Sequence, residues 1–190
     1  MCSDNYNQPP MGHKHTRDDI LDGAVEAALD DGVSRLTFGT LAKRLGVSDR
    51  IIVYYFPTKN QLVTDVLIQV GERLQVALGS AFTDAAEDHR HLARAALPVL
   101  SRKEFEPLFA VYFEACGLAA AGLEPFGDLA GQLMQGWVGW LSEFFSGDPH
   151  RRRAEAEATV ALVDGVLLVR QLAGAAAADR AAVALGLRLN

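Results

Sequence analysis

Residues 36–59 read LTFGTLAKRLGVSDRIIVYYFPTK, and the fold is decided by how that stretch folds. Thr37 is a helix N-cap residue, followed by Leu41, Ala42 and Leu45 on one helical face, and Gly46 ends the run. Ser48 is the next cap residue, and a further short helix is expected over 49–56, until Pro57 breaks it. Two short helices joined by Gly46, Val47 and Ser48 have the form of a helix-turn-helix, whose turn needs the left-handed backbone that Gly46 adopts without strain. Ala42 is small where the two helices cross, while Leu41, Leu45, Val47 and Ile52 fill the core beneath them. The start of the second helix is then free to enter a DNA major groove, which admits one α-helix.

Helical signals continue on both sides. Thr16 followed by Asp18 and Asp19 is a helix start, with an oxygen-bearing cap and acids in the first turn. Ile20, Leu21, Ala24, Val25, Ala28 and Leu29 recur at three- and four-residue steps until Gly32. Downstream, Thr58 to Gln61 has capping-box form and opens a long helix carrying Leu62, Val66, Val70, Leu74 and Leu78. Five more helices are expected near 86–101, 103–121, 125–146, 150–173 and 176–187, punctuated by Gly122, the Gly147, Asp148 and Pro149 run, and Gly174. Ala175 to Ala178 is a candidate for close helix packing. No strand-like alternation competes, so the fold class is all-α. Residues 1–15, with Pro9, Pro10 and Gly12, read as a flexible tail.

Hydrophobic residues make up 49% of the 190, enough for a packed core. No apolar run approaches the roughly 18 uncharged residues of a membrane span. The polar N-terminus lacks a signal-peptide pattern, and Cys2 and Cys116 form no metal or redox spacing, so a cytoplasmic protein without disulfides or membrane contact is expected. The net charge of −6 is unevenly spread. From 32 to 60 the basic residues are Arg35, Lys43, Arg44, Arg50 and Lys59 against the single acid Asp49, whereas Asp18, Asp19, Asp22, Glu26, Asp30 and Asp31 lie upstream. Screening over about 8–10 Å lets such a basic face bind phosphates on an acidic body. No nucleophile with a partner, phosphate loop or metal spacing points to an enzyme or a cofactor. His13 with His15, and His89 with His91, are two residues apart and cannot share a helix face to bind metal.

The run TLAKRLGVS at 40–48, the YYF at 54–56 and the Lys59–x–x–Leu62 entry to a long helix resemble the signature of the TetR family of transcriptional regulators. The resemblance covers residues 16–80 in detail and the remainder in helix number and length. It implies a DNA-binding domain at 16–62 and a helical effector-binding and dimerisation domain at 63–190. It implies that Thr37 and Thr40 face the phosphate backbone, that Ser48, Arg50, Ile51, Tyr54 and Tyr55 project from the recognition helix, and that Lys59 reaches a phosphate. The chemistry agrees, since Arg pairs with guanine edges and Tyr hydroxyls donate to phosphates. Val53 stands where the family usually has Tyr, and Asp49 places a carboxylate near the groove unless it pairs with Arg50. Phe56 reads better as core, and Tyr55 has the alternative of packing against the first helix.

In the second half, Phe109, Tyr112, Phe113 and Cys116, then Phe126, Leu133, Trp137 and Trp140, follow helical spacing with Gly117, Gly131, Gly136 and Gly139 interleaved. Large rings beside missing side chains leave apolar space of the kind that holds a small molecule. The alternative is an ordinary packed core. A hydrophobic ligand is expected, cationic if Glu106, Glu114 or Asp164 lines the space; Asp164 could equally be an interface group or a satisfied core residue. The stretch 158–172 is apolar nearly all round, so one side should meet a second subunit through Leu162, Gly165, Val166 and Val169. Arg151, Arg152 and Arg153 read as a solvated triplet balanced by Glu155 and Glu157. The resemblance implies a homodimeric repressor on a palindromic double-stranded operator, released by a small molecule. Control by a protein partner and ligand-driven activation are the alternatives.

Overall fold

A computed structural model describes residues 15–82 and 85–187; most of the expected N-terminal tail, with Cys2 and His13, lies outside the described residues. Nine α-helices form among the described residues: α1 Arg17–Asp31, α2 Phe38–Leu45, α3 Asp49–Tyr55, α4 Lys59–Gly79, α5 His89–Leu100, α6 Glu106–Ala120, α7 Phe126–Ser142, α8 Pro149–Ala173 and α9 Ala175–Ala184. Short 3-10 turns occupy Val33–Arg35 and Lys103–Phe105. No strand forms among the described residues, and no helix there is long and apolar enough to cross a membrane.

Local chemistry accounts for the starts and stops. Thr16 Oγ1 accepts from the Asp19 N–H at 3.1 Å while Asp19 Oδ2 accepts from the Thr16 N–H at 2.8 Å, a reciprocal box that satisfies two donors at the start of α1. Thr37 and Thr40 repeat this at α2. Gly46 ends α2 at φ 67°, ψ 29°, the left-handed turn the sequence demanded. Thr58 Oγ1 accepts from the Gln61 N–H at 3.1 Å to open α4. Ser48 departs from expectation: it holds the N-cap position of α3 by backbone geometry, yet its hydroxyl makes no cap bond. Phe56 leaves α3 at φ −129°, ψ 85°, as the proline after it requires, so the helix ends one residue early.

Ile20, Val25, Leu41, Ile52, Phe56 and Leu62 are fully buried together beneath α1 to α4. Side chains of that size contribute roughly 1.5–3 kcal/mol each on burial. Polar ties flank this core: Arg17 pairs with Asp65 at 2.5 Å, Arg73 pairs with Glu26 at 2.9 Å, and the Arg17 guanidinium lies 4.9 Å from the centre of the Phe56 ring. In the second half α5 and α6 pack against α4, α7 packs on α6 and α8, and α8 packs on α5, α7 and α9. Asp88 caps α5 by accepting from the His91 N–H at 2.8 Å. α7 stops at Ser142, four residues short of expectation, because the chain turns there and the Phe144 carbonyl accepts the Ala86 N–H at 2.8 Å. Asp148 accepts from the His150 and Arg151 N–H groups and places a negative charge at the start of α8, where Arg151 to Arg153 begin. Arg153 pairs with Glu157 at 2.9 Å and Arg151 approaches Glu155 at 4.0 Å, the balance read from the sequence.

Candidate nucleic-acid interface and interior cavity

The helix-turn-helix presents one exposed face. Thr37 and Thr40 stand at the start of α2, with their hydroxyl oxygens 2.9 Å apart, and both are exposed. On α3, Ser48, Arg50 and Ile51 are exposed, and Tyr54 is 78% exposed, an unusual state for so large a ring. Buried Ile52 on the opposite side of α3 determines this orientation, because it anchors the helix in the core. Lys43, Arg50 and Lys59 form no ion pair among the described residues, whereas Arg44 is held by Asp30 at 2.5 Å. Asp49 does not pair with Arg50; its carboxylate turns back beside Gly39, where a Cβ would lie 3.9 Å from Oδ2. Tyr55 is the exception among the expected contact residues. It is half-buried, stacks edge-on against Tyr54 with ring centroids 4.9 Å apart, and its hydroxyl donates to the His15 carbonyl at 3.1 Å, so it braces the approach to α1.

The second half encloses an interior cavity of about 140 Å³. Of the residues expected to line it, Phe109, Tyr112 and Cys116 from α6 and Phe126, Leu133 and Trp137 from α7 do so. Phe113 and Trp140 do not. Phe113 stacks on Tyr112 at 5.2 Å, and Trp140 packs among Phe82, Trp137 and Phe144 behind the wall. The interleaved glycines also depart from expectation. Gly117, Gly131, Gly136 and Gly139 are exposed, and a Cβ on any of them would meet nothing within 4 Å, so they lie on outer faces and create no interior space. The glycine at the cavity is Gly71 on α4, whose added Cβ would sit 3.6 Å from Trp137 Nε1. Leu67, Val70, Leu74 and Leu78 of α4 complete that side at the i, i+3, i+4 spacing already visible in the sequence.

Two of the three acids considered for the cavity are engaged elsewhere. Glu106 approaches Arg170 at 3.6 Å, and Glu114 bonds to the turn after α1. Asp164 does line the cavity, with Tyr112 Oη donating to its Oδ2 at 2.6 Å. Burial pushes the Asp164 carboxyl up to about 6 against the opposing effect of that bond. Burial, then the neighbouring carboxylate, pushes the Tyr112 phenol far above its ordinary value, so it remains a proton donor.

The outer face of α8 differs from the one expected. Val166 is 2% exposed and packs within its own chain, because α8 turns that side to the core; Leu162 and Val169 are half-buried against the same core. The stripe left outside is Ala161, Gly165, Leu168 and Leu172, with Leu172 77% exposed. Val183 on α9 is also exposed.

Residues 20–66 match the family described as bacterial regulatory proteins, tetR family. The HTH-type transcriptional regulator BetI of Stenotrophomonas maltophilia (strain R551-3) is 31% identical over 88 residues, which span 46% of this chain and 45% of that relative, so the match covers about half of either protein. Over nearly the whole chain the fold resembles that of a transcriptional regulator from Rhodococcus sp. Rha1, with a TM-score of 0.69 and 19% identity across 92% of this chain and 96% of that one. It also resembles the multidrug binding protein EbrR complexed with proflavin, with a TM-score of 0.65 and 23% identity across 90% and 97% of the two chains.

Proposed function

From a chain whose residues 20–66 match the tetR family of bacterial regulatory proteins, we infer a TetR-type transcriptional regulator that binds double-stranded DNA as a homodimer and is released by a small hydrophobic molecule. The observation that carries the reading is the division of labour along α4. Its first residue is Lys59, free on the face shared with Arg50 and Tyr54, and its later turns supply Leu67, Val70 and Leu74 to the cavity. One rigid helix therefore spans both regions, and the boundary between the DNA-binding domain at 16–62 and the effector domain from 63 onward falls inside it.

Arg50 and Tyr54 read or grip the groove, Thr37, Thr40, Ser48 and Lys59 hold phosphates, and Ile51 offers an apolar contact to a thymine methyl. Two subunits meeting through the exposed stripe of α8, with α9 beside it, place their recognition helices in successive major grooves roughly 34–36 Å apart. A ligand that prefers a different seating of α4 and α6 alters that spacing and lowers operator affinity. About 1–3 kcal/mol of differential binding suffices for a shift of roughly 5–150-fold. The proflavin complex of the similarly folded EbrR supports a cavity of this type as a small-molecule site.

A gel-shift titration against the DNA upstream of the protein's own gene tests the reading. Saturable, sequence-selective binding that weakens steeply with salt is expected. Binding indifferent to salt, or a ligand that fills the cavity without changing operator affinity, contradicts it.

A further inference from the structure

Among the described residues, Asp164 is the one carboxylate on the wall of the cavity, and the surrounding chemistry leaves it incompletely served. Oδ2 accepts from Tyr112 Oη at 2.6 Å, while Oδ1 has no hydrogen-bond partner among the described residues. The titratable groups facing it are Tyr112 and Cys116 of α6, both acids; the lining residues of α4, α5 and α7 carry no ionisable side chain. A half-buried carboxylate on an apolar wall is poorly solvated unless it is paired, and here no Lys, Arg or His of the described cavity wall supplies the opposite charge. The compensating charge is therefore left for an occupant. The remaining wall suits a cation on a greasy body: Tyr112 reaches the carboxylate, Phe109 lies 6.4 Å from the Tyr112 ring, Trp137 lines the same cavity, and ring faces attract cations.

We propose that Asp164 and Tyr112 form the head-group site for a lipophilic cation, a protonated amine or quaternary ammonium carried on an apolar or aromatic body. The proposal rests on the reading of the cavity as the effector site and specifies the charge of its ligand. Asp164 supplies the counter-charge, and Tyr112 orients the carboxylate and keeps it ionised by donating to it. A neutral ligand of the same shape gains the apolar walls and leaves Oδ1 unpaired.

The test measures binding to the full-length protein without DNA, following the fluorescence of Trp137 at the cavity wall. The probes are benzyltrimethylammonium and its uncharged carbon isostere neopentylbenzene. The wild type should prefer the cation by about tenfold or more, the scale of a charge-assisted contact in a dry site. Asp164→Asn should remove that preference by weakening the cation alone, with the isostere unchanged within about twofold. The charge of the quaternary probe does not titrate. Its affinity should therefore hold above the Asp164 pKa of about 6 and fall as the pH drops through it, and the fall should vanish in Asp164→Asn. Tyr112→Phe, which keeps the carboxylate and removes its donor, should move the fall to higher pH. Equal affinity for both probes, or an equal loss of both in Asp164→Asn, would overturn the cation assignment while leaving the cavity as an effector site. Failure of both probes to bind would overturn the cavity reading with it.

Discussion

Glu114 Oε2 accepts the backbone N–H of Val33 at 2.7 Å, joining two residues 81 positions apart. Its other oxygen, Oε1, accepts from the Ser34 N–H at 3.1 Å and from the Ser34 hydroxyl at 2.5 Å. A carboxylate of α6 thereby satisfies the turn between α1 and α2, and α6 also carries Tyr112 and Cys116 into the cavity. The helix that lines the cavity is thus bonded directly to the turn that leads into the helix-turn-helix, a second connection alongside α4.

Glu114→Ala leaves the Val33 and Ser34 N–H groups without an acceptor, and Val33 is buried. Stability should fall by about 1.5–3 kcal/mol, the range for hydrogen bonds to a charged group, as measured by urea unfolding. Gly32→Ala should destabilise by about 1–3 kcal/mol, because Gly32 sits at φ 90° and a Cβ there would lie 2.8 Å from Glu114 Oε2. In both variants an effector should release DNA less completely than in the wild type. Undiminished release would show that α4 transmits alone.

On the DNA face, the side chains should separate by role in gel-shift and salt titrations. Arg50→Ala should cost about 1–3 kcal/mol and relax selectivity at one base position. Lys59→Ala should weaken all sequences alike and reduce the salt slope by about one. Tyr55→Phe should leave operator affinity intact and lower stability by roughly 0.5–1.5 kcal/mol, since its hydroxyl is bonded to His15.

The two sides of α8 should respond differently to substitution. Leu172→Glu, on the exposed stripe, should yield monomers by light scattering with helix content unchanged. Val166→Ala, inside the chain's own core, should instead lower stability by roughly 2 kcal/mol through lost burial and the cavity left behind. Dimers that survive Leu172→Glu would move the interface elsewhere.

Asp164 should also make stability fall as pH rises. Its folded-state pKa of about 6 lies above the ordinary aspartate value of 3.8, so the folded state binds more protons between those values. The stabilisation is fully present below about pH 3.8 and is lost as pH rises through 6. Each tenfold change in proton affinity is worth about 1.36 kcal/mol, so the loss between about pH 5 and about pH 7.5 is roughly 1 kcal/mol. Asp88 and Glu155 act in the opposite direction, their carboxyls held low by hydrogen bonds from His91 and His89, and they take effect only in more acidic solution. Urea unfolding at the two pH values should show this loss in the wild type and its absence in Asp164→Asn.

Much was legible in residue order because it depends on near neighbours. The reciprocal boxes at Thr16 and Thr37, the left-handed turn at Gly46 and the stop before Pro57 each involve groups a few positions apart, so the helices and the helix-turn-helix could be read directly. Periodicity likewise distinguished an inner from an outer side for most helices. What it left open was how each helix is rotated when more than one side is apolar. On α8 the choice between Val166 and Leu172 depended on where α5 and α7 pack, and on α7 the packing against α6 and α8 left the glycines outward and Trp137 inward. Tyr55 turned toward His15, and Glu114 found Val33 across 81 residues, because their partners are neighbours only in space. Sequence by itself determined the elements and the helix-turn-helix; tertiary structure alone decided which side chains share the cavity, which face outward, and which carboxylate stands on the cavity wall.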